Sequence, residues 1–123
     1  MKKLLLVWVL VLSIAIVGCS KKTWWTWWSE LISFAECITK AWATFYGTEW
    51  CPHCKDQKAM FGVSMKYVNF VDCDKQSALC QSAWVTWYPT WRFANGSTLQ
   101  WTQPLEAIAS KTNCPLTTIN TWS

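Results

Sequence analysis

Ala43-Thr44-Phe45-Tyr46-Gly47-Thr48-Glu49-Trp50-Cys51-Pro52-His53-Cys54 is the stretch on which the fold turns. Ala43 to Gly47 is short, apolar and rich in β-formers, so it reads as a buried strand. After Trp50, Cys51-Pro52-His53-Cys54 opens a helix over roughly 52–61, with Pro52 at the tolerated first-turn position. A cysteine placed just before a helix meets unpaired backbone N–H groups and the positive end of the helix dipole. Both stabilise a thiolate, the form in which a cysteine attacks disulfides. His53 adds a further donor or positive charge. Cys54 lies one turn on and is able to close a disulfide. Cys51 is thus the candidate nucleophile and Cys54 the resolving thiol, with a mixed disulfide passing through Cys51. The plain alternatives are an inert Cys51–Cys54 disulfide and an exposed, uninvolved His53.

Outward from this stretch, Leu31, Phe34, Ala35 and Ile38 recur at helical spacing and predict a helix over 30–40, with Ser29 as its N-cap. Tyr67 to Val71 alternates as a strand. Asp74 to Ala83 reads as a short helix or turn bearing Cys80. Pro89 leads into a strand at Thr90-Trp91-Arg92-Phe93. Asn95-Gly96 predicts a two-residue hairpin turn that sets Ser97 to Trp101 antiparallel to it. Leu105, Ile108 and Ala109 mark one face of a last helix over 104–111. The order is α-β-α-β-α-β-β-α, without internal repeats.

Several spaced motifs then agree with one known family. Phe34-Ala35-Glu36-Cys37, Phe45-Tyr46-Gly47, Trp50 to Lys58, Phe61-Gly62, Tyr88-Pro89-Thr90-Trp91 and Asn95-Gly96 resemble the thioredoxin-like domain fused to bacterial vitamin K epoxide reductase homologues, over about residues 31–116. The resemblance implies an α/β thioredoxin fold, a minimal four-stranded mixed sheet flanked by helices, and thiol–disulfide oxidoreductase activity without a cofactor. It implies that Tyr88-Pro89-Thr90 is the cis-proline loop facing the Cys51–Cys54 pair, so that Trp50, Pro52, Tyr88 and Thr90 line a substrate groove. An ordinary trans turn proline is the alternative at Pro89. The Cys51-Pro52-His53-Cys54 motif resembles that of strongly oxidising DsbA more than the reducing Cys-Gly-Pro-Cys of thioredoxin, which favours an oxidase. A reductase or electron carrier, or a non-catalytic lipoprotein with a structural disulfide, are the other readings. The buried acid of thioredoxin has no clear counterpart, since Thr44 and Phe45 stand there, and the role of Glu49 is open. A lipid anchor is expected in place of the covalent tether to the membrane enzyme, with a quinone-linked membrane protein resembling vitamin K epoxide reductase as the natural partner.

The chain has seven cysteines. Cys73 and Cys80 flank a short loop after a strand and suit a local bridge. Cys37, on the first helix, and Cys114, after the last, meet if those helices share a face of the sheet. Free buried thiols are the alternative for each pair. Zinc needs two further ligands, usually a second close pair. Cys73 and Cys80, with six residues between them, fit such a knuckle poorly, and no metal is expected.

The remaining cysteine belongs to the N-terminal segment. Met1-Lys2-Lys3 is basic, and Leu4 to Val17 is apolar apart from Ser13. As a helix this run of about fourteen residues rises about 21 Å, short of the roughly 30 Å hydrocarbon core, which favours a signal peptide. Ile16-Val17-Gly18-Cys19 resembles a bacterial lipoprotein processing site, which implies cleavage before Cys19 and a lipid anchor on it. A buried Cys19 in an uncleaved anchor is the alternative. The expected organisation is a signal peptide over 1–18, a flexible linker over 19–29, the domain over 30–116 and a tail over 117–123. The expected location is the cell envelope on the extracytoplasmic side, where disulfides persist, with exported cysteine-containing proteins as substrates. Removing Lys2 and Lys3 from the 11 basic residues leaves nine against seven acidic ones. No basic stripe with interleaved aromatics is present, so nucleic-acid binding is not expected.

Twelve tryptophans stand against four glycines. Written with glycine, Thr23-Trp24-Trp25-Thr26-Trp27-Trp28-Ser29 becomes an ordinary flexible linker, and Trp84-Val85-Thr86-Trp87-Tyr88-Pro89-Thr90 resembles the loop before the family's proline. Trp42 and Trp101 lie at segment edges, where turns favour glycine. One cause covers all eight: UGA codons that the organism reads as glycine and that are written here as tryptophan. Trp50 and Trp91 match aromatic positions of the family and stay tryptophan. An interfacial aromatic belt beside a lipid anchor accounts for Trp24 to Trp28 but not for Trp84 and Trp87.

Overall fold

The computed structural model describes residues 24–117. The expected signal peptide, Cys19 and nearly all of the expected tail lie outside these residues. Helix α1 (Trp24–Lys40) leads into β1 (Thr44–Gly47), α2 (Pro52–Phe61), a 3-10 helix (Gly62–Tyr67), β2 (Phe70–Asp72), α3 (Ser77–Ser82), β3 (Thr90–Arg92), β4 (Thr98–Gln100) and α4 (Leu105–Thr112). The four strands form one sheet in the order β2-β1-β3-β4. β1 and β2 run parallel, with Phe45 opposite Phe70. β3 is antiparallel to β1, with Tyr46 opposite Thr90, and β4 is antiparallel to β3. This mixed, helix-flanked sheet is a thioredoxin-like α/β fold. Among the described residues, no helix is long and apolar enough to cross a membrane.

Alternate strand residues point to opposite faces, and the apolar residues divide accordingly. Phe45, Trp91 and Phe70 join the larger cluster with Phe34 and Ile38 of α1, Phe61 of α2 and Ile108 of α4. Their neighbours Tyr46 and Val71 join a smaller cluster with Cys73, Cys80, Val85 and Tyr88. Trp91 is the largest fully buried side chain, and its ring lies 4.9 Å from Phe45 and 5.8 Å from Phe61. Truncating an aromatic buried in this way costs about 3–5 kcal/mol, so Trp91 is a keystone of the core.

Three expectations are corrected. First, helix α1 starts at Trp24 instead of Glu30, so residues 24–29 of this sequence are helical and Ser29 is interior instead of an N-cap. Tryptophan has ordinary helix propensity, the Ser29 hydroxyl donates back to Thr26 O at 2.9 Å, and the Trp28 ring packs over Gly62. Second, the strand expected from Tyr67 begins at Phe70, because a 3-10 helix occupies Gly62–Tyr67. A tertiary bridge decides this: the Thr39 hydroxyl donates to Tyr67 O at 2.8 Å and accepts from Asn69 N–H at 3.2 Å. Third, the hairpin loop holds Ala94, Asn95 and Gly96, since Phe93 N–H bonds to Ser97 O at 3.0 Å. Gly96 takes the left-handed conformation (φ 81°) that such three-residue loops require.

Two disulfides staple the fold, Cys37–Cys114 and Cys73–Cys80. The first ties α1 to the segment after α4 across 77 residues of chain, where loop closure restricts the unfolded ensemble most. Replacing both Cys37 and Cys114 by serine is expected to lower stability by about 2–5 kcal/mol in urea unfolding under oxidising conditions. An unchanged unfolding midpoint would show that the staple is energetically idle.

Candidate functional site: the Cys51–Cys54 pair

The register places the site at one end of the sheet. Because Tyr46 pairs with Thr90, the chain leaving β1 toward Cys51 and the chain entering β3 from Pro89 lie at the same end. The Tyr88–Pro89 peptide bond is cis, and Pro89 is fully buried. The loop before it is held on two sides. Arg92 Nη1 donates to Ala83 O at 2.6 Å, and the Thr90 hydroxyl donates to Trp87 O at 2.7 Å.

Cys51 occupies the N-cap of α2 in extended conformation, and Pro52 takes the first helical turn. The Cys51 sulfur accepts the Cys54 N–H at 3.4 Å, the side-chain hydrogen bond of an N-cap residue. Cys51 and Cys54 are both free thiols while the other four described cysteines are paired. Cys51 keeps 6% of its surface exposed and Cys54 none. Burial, then the contact with Cys51, pushes the Cys54 thiol up to about 12, which a Thr48 backbone hydrogen bond and the Lys58 charge only partly oppose. At neutral pH Cys54 therefore holds its proton. Of the two sulfurs, the solvent-reaching one at the helix cap is suited to attack and the buried one to resolve.

His53, between the two cysteines, has an aromatic neighbour. Its ring stands edge-on to Trp101 at 5.8 Å, and Trp101 in turn lies 5.9 Å from Trp87. Among the described residues, the hydrogen bond to the Cys51 sulfur comes from backbone. The His53 carbonyl accepts from the Thr102 hydroxyl at 3.1 Å, which ties the helix start to the segment after β4. Trp50, expected in the groove, is 64% exposed beside the cysteines, and Tyr88 is half-buried.

Three supporting features lay beyond the sequence reading. Gly47 ends β1 directly against Cys54, where an added Cβ would sit 2.7 Å from the sulfur. Gln57 is fully buried and clamps the segment after β4: its Oε1 accepts Gln103 N–H at 2.7 Å and its Nε2 donates to Gln103 O at 3.1 Å. Lys58 pairs with Glu49 at 2.9 Å and lies over the Phe70 ring at 3.9 Å. Lys58 falls one helical turn after Cys54, a spacing that marks it as a neighbour. Nothing in the sequence signals that Gln57 is buried.

Two measurements probe this geometry. Gly47→Ala forces backbone or Cys54 to move, so a loss of about 1–3 kcal/mol is expected from overpacking, together with slower disulfide exchange; normal stability and exchange rate would mean that the close approach is unimportant. The second uses the raised Cys54 thiol. Unfolding lets that thiol ionise at about pH 8.5, so the unfolded state binds fewer protons than the folded state above this pH and stability falls as pH rises. The reduced protein should lose stability from about pH 8.5 toward 12 more steeply than reduced Cys54→Ala. Equal slopes in the two would show that burial does not hold the Cys54 proton.

No family model matches the chain. The thiol-disulfide oxidoreductase LTO1 of Arabidopsis thaliana is 35% identical over 69 residues, a match that takes in 49% of this chain and 18% of the relative. The match thus spans under a fifth of the length of that curated relative. With the free pair at the helix cap and the two structural disulfides, this similarity supports a redox function for the chain, of the thiol–disulfide kind.

Proposed function

We propose that the chain oxidises thiols of exported proteins through the Cys51–Cys54 pair. The observation that carries this reading is the asymmetry of the pair: Cys51 caps a helix and reaches solvent, while Cys54 is sealed and holds its proton. In the oxidising direction a substrate thiolate attacks the Cys51 sulfur of the Cys51–Cys54 disulfide. Cys54 leaves and takes up a proton, and a mixed disulfide joins substrate to Cys51. A second substrate thiolate then attacks the substrate sulfur, Cys51 leaves as thiolate, and two electrons have passed from substrate to the pair. The Cys54 N–H on the Cys51 sulfur and the helix start stabilise that departing thiolate, and stabilising the reduced form makes the disulfide the stronger oxidant.

In this reading Pro89 and Thr90 supply the wall against which the substrate backbone lies, with Trp50, Pro52 and Tyr88 around it. Cys19 carries the lipid that holds the domain at the extracytoplasmic face of a membrane. More than one acyl chain gives stable anchoring. A quinone-linked membrane protein resembling vitamin K epoxide reductase reoxidises the pair.

The test is trapping. Cys54→Ala should accumulate mixed disulfides with exported proteins through Cys51, and Cys51→Ala should accumulate none. If Cys54→Ala traps nothing, exchange at this pair is ruled out. The redox potential then gives the direction: a value near the roughly −120 mV of DsbA fits an oxidase, and one near the roughly −270 mV of thioredoxin a reductase.

A further inference from the structure

Three helices of the described chain end alike. After α1, Ala43 N–H bonds to Ile38 O and Trp42 N–H to Thr39 O, both at 3.0 Å. After α3, Val85 N–H bonds to Cys80 O and Trp84 N–H to Gln81 O, again both at 3.0 Å. After α4, Cys114 N–H bonds to Ala109 O at 3.3 Å. These are the helix-ending hydrogen bonds whose penultimate residue must turn left-handed, a place filled mostly by glycine and sometimes by asparagine. The residues there are Trp42 (φ 61°), Trp84 (φ 56°) and Asn113 (φ 58°). Asparagine is the usual substitute, whereas tryptophan brings a Cβ that collides with the following carbonyl and gains no local hydrogen bond.

A fourth position repeats the problem. Trp101, just after β4, has φ 68° while its N–H bonds to Pro89 O at 3.0 Å. Among the described residues, tryptophan thus fills three of the four non-glycine positions with positive φ. The Trp42 and Trp84 rings bury little in return, being 78% and 85% exposed, and Trp101 is half exposed, with ring contacts among the described residues only to His53 and Trp87. Trp91 is the opposite case, fully buried in the core and outside the positive-φ set.

We infer that the polypeptide made in the cell carries glycine at positions 42, 84 and 101, from UGA codons read there as glycine. Among the described tryptophans, only these three have positive φ. Glycine there changes the rim of the candidate site, because Trp101 is the ring that His53 meets edge-on and that Trp87 lies tilted against. With glycine at 101, the Cys51-Pro52-His53-Cys54 turn is flanked by bare backbone and the His53 ring faces solvent.

The deciding experiment is peptide mass spectrometry of the protein purified from its own organism, beside the codons of the gene. Glycine masses at 42, 84 and 101 from UGA are the expected result; tryptophan masses there, or UGG codons, would overturn the inference. A second comparison tests the backbone argument itself in the sequence as written. Glycine variants of Trp42, Trp84 and Trp101 should each melt higher than the matching alanine variants, by roughly 4–8 °C, since only glycine relieves the left-handed strain. At Trp28, inside α1, the order should reverse, with Trp28→Ala melting higher than Trp28→Gly. Alanine equal to or better than glycine at 42, 84 and 101 would defeat the argument from φ.

Discussion

The contact of Gly47 with the Cys54 sulfur is the constraint from which the site is built. A strand end and a helix start can come this close only if the strand residue has no side chain, because a Cβ would stand 2.7 Å from the sulfur. That approach seals Cys54, and the sealing holds its proton. It also leaves Cys51, one turn earlier at the helix cap, as the sulfur that reaches solvent. The Gly47 carbonyl accepts Cys73 N–H at 2.8 Å. The same residue therefore links the Cys51–Cys54 pair to the loop closed by Cys73–Cys80.

Much of this was legible because the signals are local. The strand ending in Gly47, Pro52 at a helix start and the hydrophobic spacing of Leu31, Phe34, Ala35 and Ile38 each specify their element within a few residues. The placement of Cys51 and Cys54 at a helix start was readable for the same reason, since Pro52 marks that start. What escaped depends on distant partners. Thr39 breaks the expected Tyr67 strand from 28 residues away, and Gln57 finds its partner at Gln103, 46 residues on. The His53 ring meets Trp101 from beyond β4. No periodicity within the helix encodes that neighbour.

The tryptophans show where composition and conformation meet. A count of twelve raises a question about the chain as a whole, but only the backbone separates one tryptophan from another. Trp91 fills the core, Trp28 covers Gly62, and Trp42, Trp84 and Trp101 sit where a side chain is a liability. Local consistency between residue and dihedral is what natural sequences ordinarily maintain, and its failure at these three places is confined to one residue type besides Asn113.

The Cys37–Cys114 bridge gives the domain a mechanical character. It closes a covalent ring that contains every strand of the sheet as well as α2, α3 and α4. A pull applied upstream of Cys37 and downstream of Cys114 passes through the sulfurs and not through the hydrogen bonds of the sheet. Under such tension the turns of α1 ahead of Cys37 can unwind as a spring, while the Cys51–Cys54 pair stays inside a loop that carries no load.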